Sequence, residues 1–386
     1  MDVEGLEFLV VGAGLSGLTV ARRLVDHGRK VAIIERRAWM GGLCSSYIDG
    51  ETDIEVHRHG THVLHSSNQK AISFLSRFCQ LNHYRHRVFA HYERRTYPLP
   101  INLETINKFY GTDLDPKRAG HLVKIFASHA CEKRRENEVR GRLPFAPQPT
   151  NFEEAAIAKM GWSLYAAFVE GYTKKHWGID PQLLPTWLAE RIPVRTNYNG
   201  DYFTDSWQGI PVGGYNRLFS SICKGITTDL GVDYQKATGL YPPGIKVVYT
   251  GSLDSYFDYR FGVLPWRGVE VVPETVGVGD YQGAAVINFP EQHIPQTRIH
   301  EFKHLHPESR VSSRKSVIAP EFASPQGEPA YPMAEDGELA KRYREAAMLE
   351  PNVYFCGRMA TYRYLNMDQA VVEAIDLADS LCKKTI

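Results

Sequence analysis

The sequence predicts an α/β protein with a Rossmann-like nucleotide-binding domain that two other segments interrupt. Three observations support this fold class. The chain opens on a buried strand, a glycine turn and an amphipathic helix, and residues from about 68 to 200 are rich in helical segments. Short β-like runs then dominate from about 232 to 320, before a final strand and helix. A discontinuous nucleotide domain with a helical and an antiparallel β-sheet insertion accounts for this order.

The first βα unit is the clearest local signal. In "LEFLVVGAGLSGLTVARRL" an apolar run from Leu6 to Val11 predicts a strand, and apolar residues after the glycines recur at helical spacing. "KVAIIE" predicts a second strand that ends at Glu35.

The later segments are assigned to helices or strands from their residue patterns. "NQKAISFLSRFCQLN" and "NFEEAAIAKMGWSLYAAFVEGY" predict helices, whereas "GIKVVYTG", "GVEVVPE", "AAVINF" and "TRIHEFKHL" predict strands. The charge-dense stretch 128–142 fits either an anion-binding patch or a solvated helix face. The predicted boundaries are 1–66, 208–252 and 345–386 for the nucleotide domain, 103–190 for the helical domain with a lid, and 67–102, 191–207 and 253–344 for the β-sheet domain.

Composition narrows the class of protein. Lys and Arg number 45 against 44 Asp and Glu, so the formal charge is +1 and no nucleic-acid partner is expected. The six cysteines are scattered and form no CxxC pair, which fits a reducing cytoplasm rather than a disulfide framework. No apolar run is long enough for a membrane span, and we expect a cytoplasmic protein.

The glycine turn predicts dinucleotide binding. Gly12, Gly14 and Gly17 have the G-x-G-x-x-G spacing, between a strand and a helix whose N–H groups suit a pyrophosphate. Glu35 ends the second strand, where an acid binds a ribose diol. A glycine pair, Gly41-Gly42, follows this acid and favours FAD over NAD.

Four histidines in "HRHGTHVLHS" (57–66) leave three interpretations open. His57 and His59 would share one face of an extended chain, as metal ligands require, but Arg58 between them opposes a cation. Structural histidines are the second interpretation. The third, which we favour, is a loop beside a flavin, where Gly60 lets the backbone approach a flat ring.

Arginines and tyrosines between residues 172 and 366 suggest a diphosphate site. Arginine forks hold phosphate oxygens bidentately, and tyrosine hydroxyls can take the remaining oxygens. The residues in question are Arg191, Arg195, Arg298, Arg358, Arg363, Tyr172, Trp177, Tyr202, Tyr331, Tyr362, Tyr364 and Asn366.

At these residues the chain resembles the UDP-galactopyranose mutase family along most of its length. The family motifs "GxGxSG", "GPHxFHT", "GYTxKQWG", "RLPVR", "NYF", "TRIxExKHF", "YYP" and "GRLGTYRYLDMD" have counterparts in order. Here they read "GAGLSG", "GTHVLHS", "GYTKKHWG", "RIPVR", "DYF", "TRIHEFKHL", "AYP" and "GRMATYRYLNMD".

The resemblance implies an isomerase that binds FAD and interconverts the pyranose and furanose rings of a nucleotide-diphosphate sugar without net redox change. In the family the flavin must be reduced, so an external reductant such as NADPH is expected. Its N5 attacks the anomeric carbon, and a flavin–sugar adduct carries the ring through opening and reclosure. A homodimer is also implied, and no metal.

The resemblance also assigns residues. The implied catalytic residues are Arg191, Arg298, His62 and His65. Those implied for the substrate are Asn102, Phe168, Tyr172, Trp177, Tyr202, Asn288, Tyr331, Tyr364 and Asn366. Those implied for the cofactor are Gly12, Gly14, Ser16, Gly17, Glu35, Arg36, Gly42, Leu43, Gly60, Thr61, His62, Arg358, Asn366 and Met367. Residues 178–195 resemble the family's mobile lid, which would bring Arg191 onto the diphosphate.

The chain departs from the family pattern mainly around the predicted flavin and sugar. The departures are Asn366 for aspartate, Thr61 for proline, Leu64 for phenylalanine, His176 for glutamine, Ala330 for tyrosine and Leu43 for asparagine. We therefore keep three alternatives open: the same chemistry on another UDP-, dTDP- or GDP-linked sugar, an FAD oxidoreductase of the amine-oxidase type, and a sugar-nucleotide binder without catalysis.

Overall fold

The computed structural model describes residues 5–127, 148–237, 239, 241–242, 244–309, 314–333 and 335–383. The charge-dense stretch 128–142 lies outside these residues. The helices are α1 (Leu15–Asp26), α2 (Gln69–Leu75), α3 (Leu103–Tyr110), α4 (116–127), α5 (Phe152–Met160), α6 (Trp162–Tyr165), α7 (Gly171–Trp177), α8 (Gly214–Cys223), α9 (Tyr234–Ala237), α10 (Leu253–Tyr256), α11 (Glu338–Met348), α12 (Gly357–Thr361) and α13 (Met367–Lys383).

The strands are short, and most have three to five residues. They are β1 (Phe8–Val11), β2 (Val31–Glu35), β3 (Ser46–Ile48), β4 (Glu55–His57), β5 (Leu64–Ser66), β6 (Val88–Tyr92), β7 (Arg95–Leu99), β8 (Trp207–Gly209), β9 (Thr227–Leu230), β10 (Lys246–Tyr249), β11 (Trp266–Val271), β12 (Glu274–Val276), β13 (Val286–Asn288), β14 (Arg298–Glu301), β15 (Ser316–Ser324), β16 (Glu328–Pro332) and β17 (Val353–Phe355).

A parallel five-stranded sheet in the order β17-β10-β1-β2-β9 forms the Rossmann-like unit. Both of its faces are covered, as a parallel sheet requires. Phe8 and Val10 face a core shared with α1, α8 and α13, whereas Leu9 and Val11 face a second core with β10 and Tyr256. Its strands come from the beginning, middle and end of the chain, so the predicted discontinuous domain is confirmed.

An eight-stranded sheet, β16-β11-β15-β14-β13-β6-β7 with β12 paired to β15, is the second layer. Its pairs are antiparallel except for β6 and β13, which run parallel. The predicted antiparallel β-sheet is therefore present, with one parallel pair between β6 and β13. Two separate two-stranded ribbons pair β3 with β4 and β5 with β8.

The helical unit packs α3 to α7 around a core of its own. The segment predicted as one helix from 151 to 172 is interrupted at Gly161, whose φ of +77° ends α5. It continues through a π-helical turn, Ala166–Glu170. Two 3₁₀ helices, Pro181–Leu183 and Thr186–Arg191, follow in the predicted lid segment.

Some predicted elements are longer than the observed ones. The first strand begins at Phe8 rather than Leu6, and the helix predicted from 68 to 82 ends at Leu75. In the part of the chain that the structure describes, no helix combines the length and apolarity needed to cross a bilayer. The predicted domain boundaries stay predictions.

The packing of α1 against β1 predicts a sharp response to one substitution. A Cβ at Gly17 would lie 1.9 Å from the carbonyl oxygen of Gly12, a backbone atom that cannot move aside. We expect Gly17→Ala to lower the free energy of unfolding by about 3 kcal/mol, measured by urea denaturation. Gly50→Ala is the control, since a Cβ there meets nothing within 4 Å. Equal stability of both variants would contradict this view of the turn.

Candidate active site

Two glycine turns meet at the amino end of α1. Gly14 is the N-cap of α1 and pairs in a parallel bridge with Gly41, whose N–H donates to the carbonyl of Ala13 at 2.8 Å. A Cβ at Gly42 would lie 3.2 Å from the Cα of Gly14. The backbones therefore touch without side chains, and the first-turn N–H groups of α1 face no acidic residue in that turn. This cradle fits a pyrophosphate.

The acid predicted for the ribose is fixed at the same edge. Glu35 is 5 % exposed and accepts the N–H groups of Ala13 and Arg37 at 2.9 and 2.8 Å. A carboxylate has further lone pairs for a hydroxyl. Arg36 follows in sequence, and Ser16 lies in the first turn of α1, where a Cβ on Gly357 would be 2.6 Å from its Oγ. The residues predicted for FAD thus fit a dinucleotide.

A cavity extends between the loop after β4, which is predicted to lie beside the flavin, and Arg298, which is predicted to bind the diphosphate. Its lining includes both the loop after β4 and the large sheet: Leu43, His59, Gly60, Thr61, His62, Val269, Arg298, Glu321, Glu328, Ala330, Tyr331 and Arg358. Arg358 does not extend freely into it, because its guanidinium donates to the backbone carbonyls of Leu365 and Ala330. Met367 accepts a hydrogen bond from Cys44, next to Leu43, at 3.4 Å.

His62 has a defined protonation state. Burial lowers its pKa to about 4, so the ring is neutral at neutral pH. Its Nδ1 lies 2.8 Å from the carbonyl oxygen of Gly60 and therefore carries the proton. Its Nε2 is left as an acceptor. His65, in contrast, contacts another segment: its ring stacks on Phe203 at 3.6 Å, and Nδ1 lies 2.7 Å from Asp205.

Neighbouring strands place a polar row on one face of the large sheet. Arg298 is the register partner of Asn288 on β13 and of Glu321 on β15. The Nε of Arg298 lies 2.9 Å from Oε1 of Glu321. Burial acts to lower the pKa of Arg298, but Glu321 and the neighbouring tyrosines together outweigh it, and the pKa is raised. The Oδ1 of Asn288 is buried and has no hydrogen-bond partner within the described residues, as expected of an atom that accepts a hydrogen bond from a bound ligand.

The sequence did not reveal Glu321 and His300. Glu321 is 4 % exposed; burial would raise its pKa, but Arg298 and His300 together lower it well below the usual range. His300 is 0 % exposed and lies two residues beyond Arg298 on β14, hence on the same face. Only the strand register, which a single sequence does not show, identifies these partners.

The predicted aromatic residues do converge. Tyr331 stacks on Tyr364 with ring centroids 5.5 Å apart, and His176 and Trp177 of α7 contact Tyr331 at 4.6 and 5.9 Å. Tyr172 stacks on His176 at 5.8 Å, one turn earlier on the helix. The Nδ1 of His176 is buried without a partner in the described part of the chain, and burial lowers the pKa of this ring to about 4.

Arg191 reaches this aromatic group from the lid segment. Its guanidinium lies 4.0 Å from the ring centroid of Tyr364 and donates to Oδ1 of Asn366 at 2.7 Å. Tyr202 lies in the loop before β8, and its ring packs edge-on against the ring of His86 with the centroids 5.3 Å apart. The charges of Arg298 and then Arg191 act on Tyr202 and oppose the effect of burial, which raises its pKa.

Two predicted substrate residues have structural duties. The Oδ1 of Asn102 accepts the N–H of Thr105 at 3.1 Å and forms a capping box at the start of α3. Phe168 is 5 % exposed, and its ring contacts Tyr97 at 5.0 Å inside the helical core. Their roles toward substrate stay predictions.

Two groups of possible metal ligands form within the described residues, and one of them includes His57 from the histidine-rich stretch. Ligand atoms of Glu55, His57 and His306 lie within 4.8 Å of one another. However, Nδ1 of His57 accepts the N–H of His62 at 3.1 Å, so the neutral ring has its proton on Nε2, the atom that a metal would need. Nε2 of His306 lies 2.9 Å from Glu55. The geometry thus favours an ion pair beside a neutral histidine.

Comparisons with known proteins identify the family of the chain. A sequence model for UDP-galactopyranose mutase matches residues 167–364, and one for an NAD(P)-binding Rossmann-like domain matches residues 10–78. A probable UDP-galactopyranose mutase of Klebsiella pneumoniae is 36% identical over 96% of this chain and 93% of its own length. The chain belongs to the UDP-galactopyranose mutase family.

Two further similarities bear on this family membership. A dTDP-fucopyranose mutase of Escherichia coli is 34% identical over 97% of this chain and 98% of its own. The fold is similar to that of a reduced UDP-galactopyranose mutase crystal structure, with a TM-score of 0.72 over 98% of this chain and 96% of the other, at 16% identity. Membership of the UDP-galactopyranose mutase family makes the chain an isomerase and implies a flavin cofactor and a nucleotide-sugar substrate.

The Glu55–His306 pair predicts a pH-dependent contribution to stability. Burial acts to lower the pKa of His306, but Glu55 outweighs it and the pKa is raised; burial acts to raise that of Glu55, but His306 and its other partners lower it to about 2. A raised histidine pKa stabilises the fold below the unfolded value of about 6.5, and the contribution is lost as pH rises through the folded value. A lowered carboxylate pKa contributes fully above the unfolded value of about 4.5, and this contribution is lost as pH falls toward the folded value of about 2.

We therefore expect the destabilisation by His306→Gln to be largest between about pH 4.5 and 6.5 and to shrink at higher pH. The measurement is chemical denaturation of both proteins across this range. Substitution of the exposed His83 by Gln is the control and should give a pH-independent difference. A His306→Gln effect that grows above pH 8 would contradict the ion pair.

Proposed function

We propose that the chain interconverts the pyranose and furanose forms of a nucleotide-diphosphate sugar with reduced FAD. One observation supports this most directly. The cavity that Gly60 and His62 line on the cofactor side is lined on the other side by Arg298 and Tyr331. A diphosphate on these side chains would lie next to the flavin loop.

The two arginines would act on the leaving diphosphate. Glycosyl–oxygen cleavage leaves negative charge on the diphosphate, and guanidinium groups already in place stabilise it without reorganisation. Arg298 is fixed by Glu321 in the sheet, whereas Arg191 lies on the lid segment and stacks on Tyr364. The hydroxyls of Tyr202, Tyr331 and Tyr364 would donate to the same oxygens; burial raises the pKa of Tyr331, so it stays protonated.

Reduced flavin, when bound, supplies the nucleophile for the anomeric carbon. Around it, His62 would present its unprotonated Nε2 toward the cofactor, and the lid would exclude water from the activated sugar. Phe168 and Tyr172 would bind the nucleobase, and Trp177, Asn288 and Asn102 would contact the sugar. The role of His65, a cytoplasmic location, a homodimer and NADPH as reductant stay predictions.

The identity of the sugar is the finer part of the proposal. The UDP-galactopyranose and dTDP-fucopyranose relatives are nearly equally similar, at 36% and 34% identity. Arg191 and Arg298, which we call the clamp, match the family pattern. Thr61, His176, Ala330 and Asn366 depart from it near the flavin and sugar. We therefore propose retained chemistry on a UDP- or dTDP-linked sugar, with a 6-deoxy sugar as the second choice.

A panel of sugar nucleotides tests this function. We expect dithionite-reduced protein to change the ring size of UDP-galactofuranose or dTDP-fucofuranose, followed by chromatography, and the oxidised protein to be inactive. A ring-size change without reduction would contradict the dependence on reduced flavin. Consumption of an electron acceptor with no isomerisation of any donor would favour the oxidoreductase alternative.

A lid variant tests the clamp. We expect Arg191→Ala to lower kcat/KM by roughly two to four orders of magnitude, because one stabilising guanidinium is lost while the flavin loop is untouched. The visible spectrum checks that FAD stays bound. Arg191→Lys, which keeps the charge but not the fork, should fall in between. Activity of Arg191→Ala within about threefold of wild type would remove Arg191 from the mechanism.

A further inference from the structure

We propose that His300 is a positioning residue that limits the Arg298–Glu321 pair to one contact and so keeps the guanidinium available for the diphosphate. The inference rests on the proposed function, because it concerns the same clamp. It adds a residue, and a connection from the clamp to the flavin loop, that the sequence did not indicate.

The hydrogen bonds of His300 fix its tautomer. Its Nε2 lies 3.0 Å from Oε2 of Glu321, and its Nδ1 lies 2.8 Å from the hydroxyl of Thr61. Burial lowers the pKa of His300, so the buried ring is neutral. A carboxylate only accepts, so the single ring proton is on Nε2 and Nδ1 accepts from the Thr61 hydroxyl. The N–H of Thr61 also points to this atom, at 3.4 Å.

This arrangement divides the two oxygens of Glu321 between different donors. Oε1 lies 2.9 Å from Nε of Arg298 and accepts the hydroxyl of Thr297 at 3.1 Å, whereas Oε2 accepts from His300. A bidentate arginine–carboxylate pair would use both oxygens and two guanidinium nitrogens. Because His300 donates to Oε2, the ion-pair contact of Arg298 lies between its Nε and Oε1, and this Nε–H makes no hydrogen bond within the described residues. Within the described residues, its terminal nitrogens make no hydrogen bond, so they are free for phosphate oxygens.

The flavin loop lies directly against this pair. Gly60 has a φ of +84°, and a Cβ there would lie 2.8 Å from Oε2 of Glu321 and 3.3 Å from Nε2 of His300. The absence of a side chain at Gly60 thus allows the loop to approach the carboxylate, and the next residue, Thr61, completes the chain of hydrogen bonds. Thr61 stands where the family pattern has proline, which offers neither a hydroxyl nor an N–H. The link from clamp to loop therefore depends on this chain's own residue.

Matched variants of the holoenzyme test the inference. With His300→Leu, Oε2 of Glu321 loses its donor and can take a second nitrogen of Arg298, so we expect UDP and dTDP to bind about tenfold more weakly by titration calorimetry. His300→Gln should restore most of the affinity, because its amide can donate to Glu321 and accept from Thr61. Thr61→Val should weaken binding by a smaller factor, and Thr61→Ser should not. The double variant with His300→Leu and Thr61→Val should bind no more weakly than His300→Leu alone.

The outcomes separate this inference from the proposed function. Failure of wild-type holoenzyme to bind either nucleotide would overturn the proposed function itself. Wild-type affinity in a His300→Leu protein that retains FAD would overturn only the positioning role, and so would equal weakening by Leu and Gln, which would indicate packing alone. Should His300→Leu not fold, the Thr61→Val and Thr61→Ser pair decides, and equal affinities of these two would overturn the inference.

Discussion

The active-site cavity depends on a pair of opposite charges on adjacent strands of the large sheet, the buried Glu321 and the partly buried Arg298, whose side chain is 25 % exposed. Burial of two ions costs more than their attraction returns unless further hydrogen bonds satisfy them. Thr297 and His300 provide such bonds on the carboxylate side. The guanidinium side is satisfied less completely. A pair that served stability alone would be bidentate. In the observed arrangement, N–H groups of the Arg298 guanidinium remain available to an anionic ligand.

The segments around the Arg298–Glu321 pair differ in the hydrogen bonds that hold them in place. The Nζ of Lys175, which has three N–H donors, lies 2.5 to 3.0 Å from the carbonyl oxygens of Phe289, Glu291, Ile294 and Gln296. Arg267 of β11 donates to the carbonyls of Lys175 and His176 at the end of α7. The helix that carries Tyr172 and Trp177 is therefore tied to the loop between Asn288 and Arg298 by charge-assisted bonds. Arg191, on a 3₁₀ helix, meets the same aromatic group through a half-exposed contact.

Local signals sufficed for much of this molecule, and long-range pairing did not. The turn from β1 into α1 and the acid at Glu35 are predictable because their causes lie within about one βα unit of sequence. Glu321 and His300 are not, because their roles follow from strand register and from contacts with Gly60 and Thr61, more than 200 residues away. Asn102 differs from these residues, because its capping bond to Thr105 is local and the interpretation of its motif as a substrate contact hid it.

Asn366 affects the second arginine, Arg191, much as His300 affects Arg298. Its amide oxygen accepts from the guanidinium at 2.7 Å but neutralises none of its charge. An aspartate at this position would offer Arg191 a permanent anionic partner, and a diphosphate would then have to compete with it. Within the described residues no carboxylate pairs with Arg191, so a bound anion can take up its charge. On the sheet side, Arg298 keeps Glu321 as its ion-pair partner, and His300 takes the second carboxylate oxygen. Arg298 lines the cavity and Arg191 contacts Tyr364, so both guanidinium groups keep N–H donors for an anionic ligand.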